Sequence, residues 1–480
     1  MKNRLATLAL AALPALVLSA CNGSTAGSGV SALPNGAAAP QSKIHPNKKV
    51  GAALYGGGAT FPAYGYNLGA QPVGTPGPGQ PTPAPGSVLF GAQKKTKGAI
   101  YYCLTGSGFG RKEFEANNGT ATVGCAPLTA SPAGFGAPGD PLDFVGSDVA
   151  MASTECCASG TTYSNGRLIT SPSWGQPFEL PTFGGPIVFP YNASSFSGIG
   201  TSANLQLSTW TYCAIANGTI SNWNDAAITA DNGGSVTGGT GDTLNFYFRS
   251  DGSGTSYLTT NKLNTVCNQK WRAPYNKDPY QNLGKNRNAA WTFGVNQTWP
   301  GPGSSGDPNS RFHGESGNPG VITAIQADPF GTGYAEGAWA AAAGVAQACL
   351  LDTANAKFVC PTNKAAVARA LSKANSIDYG IGSDGNPLGS STPWCQLYIP
   401  PTEFVNPAAG DYPIVGLSYW LFYGNNNGIH LTEKKALITY ETSSAASGLL
   451  GALEYTPLSA KIRTAVKNAL NGVGNPSCLQ

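Results

Sequence analysis

Short apolar runs bounded by glycine, proline and small polar residues recur through the chain, and this pattern predicts buried strands. The predicted strands are Val50–Tyr55, Ala99–Leu104, Leu142–Asp148, Pro186–Tyr191, Leu244–Phe248 and Asp411–Tyr423. Helices are predicted at Tyr334–Leu350, Asn363–Ala374 and Leu458–Leu470, the last from apolar residues four positions apart. Together these elements predict an α/β fold.

Small polar residues stand where several of these strands end. Ser107 follows the second strand, Asp148 ends the third and Asn192 ends the fourth, whereas the glycine-rich turn with Thr60 after the first strand is a weak signal by itself. Ligands in open α/β sheets bind outside the carboxyl ends of the strands. We therefore expect these side chains to share a binding site.

The stretch Arg249–Ser256 carries the strongest local signal for chemistry. It follows the strand Leu244–Phe248 and precedes a predicted helix at Tyr257–Val266, with Ser253 or Thr255 as its N-cap. A helix N-terminus with unpaired N–H groups, hydroxyl donors and a nearby arginine favours anion binding. The alternative interpretation is a polar surface turn, because glycine, serine and aspartate are common in turns.

Composition narrows the possible functions. The chain has 480 residues, enough for two or more domains, and only 11% of them are charged. Its formal net charge of +4 is small for this length, which argues against nucleic-acid binding.

The N-terminus predicts an exported lipoprotein. Lys2 and Arg4 precede an apolar run, Leu5–Leu18, as in a secretory signal of residues 1–20. Leu18-Ser19-Ala20-Cys21 resembles the lipobox of bacterial lipoproteins, in which the cysteine is lipidated; an ordinary signal peptide is the alternative. Residues 21–49 predict a flexible tether, and residues 69–87, rich in proline and glycine, predict a surface insertion. No later segment is long and apolar enough to span a bilayer.

The remaining cysteines predict disulfides rather than a metal centre. Ten follow Cys21, which allows up to five bonds in an exported chain. Cys349 and Cys360 are a plausible local pair. The adjacent Cys156 and Cys157 could bind metal or act in redox chemistry, but we expect each to pair elsewhere. The three histidines are scattered and form no zinc signature, so neither metal nor cofactor is expected.

An ordered set of motifs from about Val50 to the C-terminus resembles the phosphate-binding proteins that serve phosphate ABC transporters. The insertion at 69–97 departs from that pattern, as do residues 151–160. The matching segments are Gly58–Pro62, Gly106-Ser107, Gly146–Asp148, Gly184–Asn192, Ile220–Asp225, Arg249–Ser256 and Gly331–Glu336.

The resemblance implies a set of phosphate ligands, residue by residue. Asp251 is implied to orient Arg249 rather than to touch the ligand. The family usually has a second serine after Ser107, where this chain has Gly108. The implied ligands are the Thr60 hydroxyl, the Phe61 backbone N–H, the side chains of Ser107, Asp148 and Arg249, and donors from Ser253, Gly254 and Thr255.

The resemblance also implies the architecture and the partners. The fold would be a two-lobed type II periplasmic binding protein with a ligand cleft between the lobes. Lobe one would comprise residues 50–190 and 411–480, and lobe two residues 191–410. The implied partners are inorganic phosphate and an ABC permease, with the chain held at the outer face of a bacterial membrane, periplasmic or extracellular, by lipid on Cys21.

Three other functions remain possible from the sequence. An enzyme is not favoured, because the chain has no G-x-S-x-G elbow, no Walker loop and too few histidines for a triad. A surface or scavenging lipoprotein of the same fold would bind phosphate without a transporter. A binder of another oxyanion, such as sulfate, would have to accommodate Asp148.

Overall fold

The computed structural model describes residues 51–69, 83–116, 143–157, 175–199, 204–239, 242–267, 291–304, 309–352, 357–424 and 430–480. All of them lie in one compact unit, Lys49–Gln480. The predicted signal peptide, the predicted lipidation site Cys21, the predicted tether and most of the predicted insertion lie outside the described residues. Across the described part of the chain, no helix combines the length and hydrophobicity needed to cross a membrane.

The elements are numbered in chain order. The strands are β1 Leu54–Gly58, β2 Ile100–Leu104, β3 Phe144–Ser147, β4 Pro177–Val188, β5 Pro190–Tyr191, β6 Gln206–Leu207, β7 Asn245–Arg249, β8 Phe312–Glu315, β9 Gly331–Gly333, β10 Ala335–Glu336, β11 Ala346–Gln347, β12 Cys349–Leu351, β13 Phe358–Val359, β14 Asp378–Tyr379, β15 Leu397–Tyr398, β16 Val415–Tyr423 and β17 Thr456–Pro457. The helices are α1 Ala63–Asn67, α2 Val88–Thr96, α3 Ser107–Ala116, α4 Thr209–Ala216, α5 Ala226–Asn232, α6 Gly254–Cys267, α7 Gly317–Ala327, α8 Gly337–Ala342, α9 Lys364–Ser372, α10 Thr402–Val405, α11 Leu431–Glu441, α12 Ser444–Ala452 and α13 Ala460–Asn471.

The larger sheet contains seven strands in the order β10-β4-β16-β3-β1-β2, with β17 also paired to β4. Strands β1, β2 and β3 are parallel, whereas β16 runs antiparallel to both β3 and β4. Every residue of β4 and β16 is buried, as expected for strands covered on both faces. Because β1, β2 and β3 are parallel, their carboxyl ends meet at one edge of the sheet.

The second sheet contains five strands in the order β11-β5-β9-β7-β8, and β7 is parallel to β8 and β9. The chain passes between the two sheets at Phe189, which separates β4 from β5, and at Tyr334, which separates β9 from β10. The strands on each side of these crossings also pair with one another, β5 with β9 and β4 with β10. These two crossings are adjacent and hydrogen-bonded to each other; the chain passes between the sheets again through α8, from β10 to β11, and returns to the larger sheet at β16.

Most predicted elements are confirmed, with shifted ends. The strand expected at Val50–Tyr55 is β1, which starts at Leu54 and continues into the glycine run, where it pairs with β2 and β3. The helix expected after Arg249–Ser256 is α6, which begins at Gly254. In the predicted insertion, α2 is capped by the Ser87 side chain and packs against α11.

The single helix predicted at Tyr334–Leu350 is wrong. That stretch contains β10, the short helix α8, β11 and most of β12. Its many alanines favour a helix, but β10 pairs with β4, β11 with β5, and β12 with β6 and β13. Pairing with distant strands therefore overrides local helix propensity here.

Disulfides connect the described cysteines, and one pairing overturns an expectation. Cys349 bonds to Cys360, as predicted from their spacing, and Cys213–Cys267 and Cys395–Cys478 are further bonds. Cys156 and Cys157 were expected to pair elsewhere, and this is wrong because they bond to each other. Both are fully buried, and every other described cysteine is itself disulfide-bonded, so no described thiol is left to pair with them.

Candidate functional site

Three predicted site residues meet at the carboxyl edge of the larger sheet. Thr60 follows β1, Ser107 begins α3 after β2, and Asp148 follows β3. Each is almost completely buried, at 1%, 0% and 2% exposure. Buried hydroxyls and carboxylates need hydrogen-bonding partners, so their contacts indicate what this edge can do.

Asp148 has one satisfied oxygen and one unsatisfied oxygen. Its Oδ2 accepts a hydrogen bond of 3.2 Å from the Ser107 hydroxyl, which in turn accepts one of 3.1 Å from the Asp148 backbone N–H. Its Oδ1 is buried and has no hydrogen-bond partner among the described residues. Burial raises the pKa of Asp148 to about 7, although the neighbouring Ser418 hydroxyl, the Arg249 charge and the Ser107 hydroxyl oppose that shift. The Ser418 hydroxyl itself donates to the Ser147 carbonyl over 3.3 Å and leaves Asp148 Oδ1 without its proton.

Arg249 ends β7 in the other sheet and is held by Asp251. Its Nε donates to Asp251 Oδ1 over 2.7 Å and its Nη2 to Oδ2 over 2.5 Å, a bidentate ion pair. Asp251 Oδ1 also accepts from the backbone N–H of Gly317 over 3.0 Å. Burial opposes the charge on both residues. Their mutual attraction outweighs it, so the pKa of Asp251 is lowered and the pKa of Arg249 is raised.

The N-terminus of α6 follows this pair directly. Ser253 caps it, because its hydroxyl accepts a hydrogen bond of 3.0 Å from the Ser256 backbone N–H. Thr255 Oγ1 accepts a hydrogen bond of 3.3 Å from Arg249 Nη1. A Cβ on Gly254 would lie 2.4 Å from Asp148 Cβ and 2.6 Å from Ser107 Oγ, so only glycine allows α6 to approach the other sheet this closely.

Gly108 explains one departure from the family pattern. Its backbone N–H donates to the Gly252 carbonyl over 2.7 Å, and a Cβ on Gly108 would lie 2.9 Å from Gly252 Cα. A serine at this position would separate the two loops. The glycine brings the turn after β2 into direct contact with the turn after β7.

Two aromatic side chains fix the turn after β1. Trp339 Nε1 donates to the Thr60 carbonyl over 2.7 Å, and the Tyr455 hydroxyl donates to the Phe61 carbonyl over 2.7 Å. In a trans peptide the C=O and the following N–H point in opposite directions. The Phe61 N–H therefore points away from Trp339, with its direction set by that indole.

Comparison with known proteins identifies the family. The family model of the PBP superfamily domain matches residues 86–444, well over half of the chain. The chain belongs to the PBP superfamily. A curated relative, the phosphate-binding protein PstS3 of Mycobacterium bovis, is 26% identical over 376 residues, which cover 78% of this chain and 79% of the relative.

Solved structures of the same fold resemble this PBP-superfamily chain. One is a high-affinity periplasmic phosphate-binding protein, PfluDING, with a TM-score of 0.58 and 22% identity, covering 88% of this chain and 95% of its own. Another is the phosphate-binding protein from Stenotrophomonas maltophilia, with a TM-score of 0.55 and 20% identity, covering 90% and 99%. The predicted two-lobed α/β fold and the resemblance to phosphate-binding proteins are confirmed; the lobe boundaries remain a prediction.

The structure brings the predicted site residues of this PBP-superfamily chain together, and it adds two that the sequence did not indicate, Asn318 and Glu336. Asn318, in the first turn of α7, is fully buried. Its Nδ2 lies 3.0 Å from Thr60 Oγ1 and 3.2 Å from Thr255 Oγ1, and its backbone N–H donates to Thr60 Oγ1 over 3.1 Å. One amide thus connects the two hydroxyls. The only sequence signal for it is an Asn one residue after Gly317, which is also common in ordinary turns.

Glu336 is a second residue that the sequence did not indicate. The Tyr455 hydroxyl lies 3.0 Å from Glu336 Oε2 while it donates to the Phe61 carbonyl, and a single hydroxyl proton cannot serve both. Burial raises the pKa of Glu336 to about 8, despite its hydrogen bonds with the Ala338 N–H and Tyr455. The Tyr455 hydroxyl thus lies between the Glu336 carboxyl and the Phe61 carbonyl, and Glu336 supports the turn after β1 through it.

Proposed function

We propose that this chain binds inorganic phosphate between Thr60, Ser107 and Asp148 on one side and the Arg249–Thr255 loop on the other. One observation carries the proposal: Asp148 Oδ1 is buried, has no hydrogen-bond partner among the residues that the structure describes, and lies beside a cationic, donor-rich helix N-terminus. An anion site that also contains a carboxylate suits an anion that brings its own proton. Mono- and dihydrogen phosphate both do so near neutral pH.

The donors on the Arg249 side suit an oxyanion. A guanidinium has five N–H donors, of which three are engaged, two by Asp251 and one by Thr255. The remaining two, one on each terminal nitrogen, can form a fork toward two oxygens of a phosphate. The backbone N–H groups at the start of α6 and the Ser253 and Thr255 hydroxyls add neutral donors. Phe61 contributes a backbone N–H.

Asp148 makes the site select phosphate over sulfate. An ionised carboxylate only accepts hydrogen bonds, so it needs a donor from the ligand. Phosphate places a proton between its own oxygen and Asp148 Oδ1, whereas sulfate has none and would bring two anionic oxygens together. Discrimination through a built-in repulsive contact is a general device for specificity. The names of the relatives, all phosphate-binding proteins, support the same ligand.

Transport is the cellular role we propose for this binding. The chain would deliver phosphate to an ABC permease from the outer face of a bacterial membrane, anchored by lipid on Cys21. The lipobox-like Leu18–Cys21 supports the anchor, and the phosphate-binding proteins among the relatives support the ligand that would be delivered. A scavenging or surface lipoprotein of the same fold, not coupled to a permease, is the second candidate.

Calorimetry tests the ligand. The protein is unfolded, dialysed free of phosphate, refolded and titrated with phosphate and with sulfate at low salt and at one pH well above the Asp148 pKa of about 7. We expect tight binding of phosphate and much weaker binding of sulfate. Equal affinity for the two anions, or no heat from phosphate, would contradict the proposal.

Membrane fractionation tests the anchor. One lipid-modified cysteine supplies buried CH₂ groups at about 0.8 kcal/mol each. We expect Cys21→Ser to release the protein or leave the precursor uncleaved. A variant that is processed and fractionates like the wild type would refute the lipobox interpretation.

A further inference from the structure

A second buried cation lies on α6, away from the phosphate site. Lys262 follows Gly254 by eight residues, about 12 Å along the helix axis. Its side chain is 2% exposed, and its Nζ donates to the Val405 carbonyl over 2.7 Å. Among the residues that the structure describes, no carboxylate forms an ion pair with it, and burial alone lowers its pKa to about 7.

Lys262 borders a cavity of about 250 Å³. The cavity lies between α4, α6 and the segment after α10, and its wall combines polar groups with aliphatic surface. The residues that line it are Lys262, Thr209, Tyr212, Asn406, Val266, Leu351, Pro407 and Pro413.

The groups that line the cavity indicate which class of ligand it can bind. An ammonium has three donors, and one hydrogen bond to a carbonyl leaves the charge unneutralised. A buried cation without a counter-ion is costly, and an entering anion would remove that cost. The aliphatic and proline side chains favour an apolar body attached to the anionic group. A cavity of about 150 Å³ already admits benzene, so this one has room for a ring with a carboxylate.

We propose that the Lys262 cavity is a second binding site, which takes a small monocarboxylate with a compact apolar body. The carboxylate pairs with the Lys262 ammonium. The apolar body lies against Val266, Leu351 and Pro407. Phosphate suits this site less well, because the wall offers a single cation beside aliphatic surface, whereas the start of α6 combines the Arg249 guanidinium with several N–H and hydroxyl donors.

The pairing of a bound carboxylate with Lys262 predicts that binding takes up protons. Burial keeps Lys262 largely neutral at about pH 8, and a bound carboxylate favours the charged form. Binding at that pH therefore takes up close to one proton, and the affinity falls as the pH rises further. A carboxylate bound at an ordinary surface lysine would take up none, because that lysine is already charged.

Benzoate is the probe, titrated by calorimetry with phosphate at saturation so that the first site is excluded. Measurements in two buffers of different ionisation enthalpy count the protons, and benzamide serves as the neutral isostere. We expect benzoate to bind with proton uptake at about pH 8 and benzamide to bind about 30-fold more weakly, with no proton uptake.

Three variants locate the binding. Lys262→Met removes the charge and keeps the stem, and Val266→Trp fills the cavity while leaving the ammonium in place. Both should weaken benzoate binding by about 30-fold or more, whereas Lys364→Met, at a lysine with 54% side-chain exposure, should leave it unchanged. Thermal unfolding and circular dichroism confirm that each variant folds. The proposal is overturned if benzoate does not bind the wild type, binds without proton uptake, or binds Lys262→Met or Val266→Trp as tightly as the wild type.

Discussion

Asp148 and Asp251 lie in contacting loops of the same site, yet their environments are opposite. Asp251 accepts two hydrogen bonds from Arg249 and one from the Gly317 N–H, and its pKa is lowered. Asp148 accepts one from Ser107, has a second buried oxygen without a partner among the described residues, and its pKa is raised to about 7. One carboxylate is complete within the protein, whereas the other still needs a donor.

The difference separates two roles that the sequence alone could not distinguish. A satisfied carboxylate beside an arginine fixes the direction of the guanidinium and has nothing left for a ligand. A buried carboxylate with an unpartnered oxygen favours whichever ligand supplies a proton. We therefore propose that Asp251 orients Arg249 and that Asp148 selects the ligand.

Replacing the unsatisfied carboxylate should have the largest effect. Asp148→Asn keeps the shape and removes the negative charge, so the repulsion of sulfate disappears. Rejection of a ligand that lacks a required hydrogen reaches about four to five decades in well-formed sites. We expect the ratio of phosphate to sulfate affinity, measured by calorimetry, to fall by several decades. Asp251→Asn is the matched control: it should weaken both anions and leave the ratio nearly unchanged.

Replacing Arg249, the cation of the site, should have the next largest effect. Removing one partner of a buried ion pair costs about 3–5 kcal/mol. Arg249→Ala should therefore weaken phosphate binding by about two to four decades. Arg249→Lys should recover only part of the loss, because an ammonium cannot reproduce the planar fork. An unchanged dissociation constant in Arg249→Ala would place the binding site elsewhere.

A change of pH should alter the contact between Asp148 and a bound anion more gradually than a substitution of Asp148 does. Below a pKa of about 7 Asp148 is protonated and can donate to an anion, and above it the carboxylate is charged and repels sulfate. Sulfate affinity should therefore fall as pH rises, by about tenfold per pH unit above that pKa. Asp148→Asn should give a flat profile. A flat profile in the wild type as well would show that Asp148 does not face the anion.

Removing the amide that connects the two loops should have the smallest effect. Asn318→Ala leaves the Thr60 and Thr255 hydroxyls without their shared donor. Losing such buried hydrogen bonds costs about 1–3 kcal/mol. We expect phosphate binding to weaken by about tenfold, with the phosphate-to-sulfate ratio preserved. A larger change in the ratio than in the affinity would make Asn318 part of the selection, against the division proposed here.

The sequence predicted the parts of this site that depend on neighbouring residues. The strand, turn and helix around Arg249 and Ser253 follow from local signals, and β1, β2 and β3 are short apolar runs that end in small polar residues. Periodicity and capping are local properties, so they were readable without tertiary structure.

The parts that were missed depend on contacts between distant segments. Asn318 matters only because α7 lies against the turns after β1 and β7. The helix expected at Tyr334–Leu350 failed because β10, β11 and β12 pair with distant strands. The Cys156–Cys157 bond was likewise unexpected, since pairing depends on which other thiols the fold leaves available.

A crystal structure of the protein with phosphate tests the central claim most directly. We expect the phosphate to contact Arg249, Thr255 and the Phe61 N–H, with one phosphate oxygen about 2.5–2.7 Å from Asp148 Oδ1, the distance of a charge-assisted O–H···O hydrogen bond. A phosphate bound elsewhere, or one that leaves Asp148 Oδ1 without a phosphate oxygen within hydrogen-bonding distance, would contradict the account.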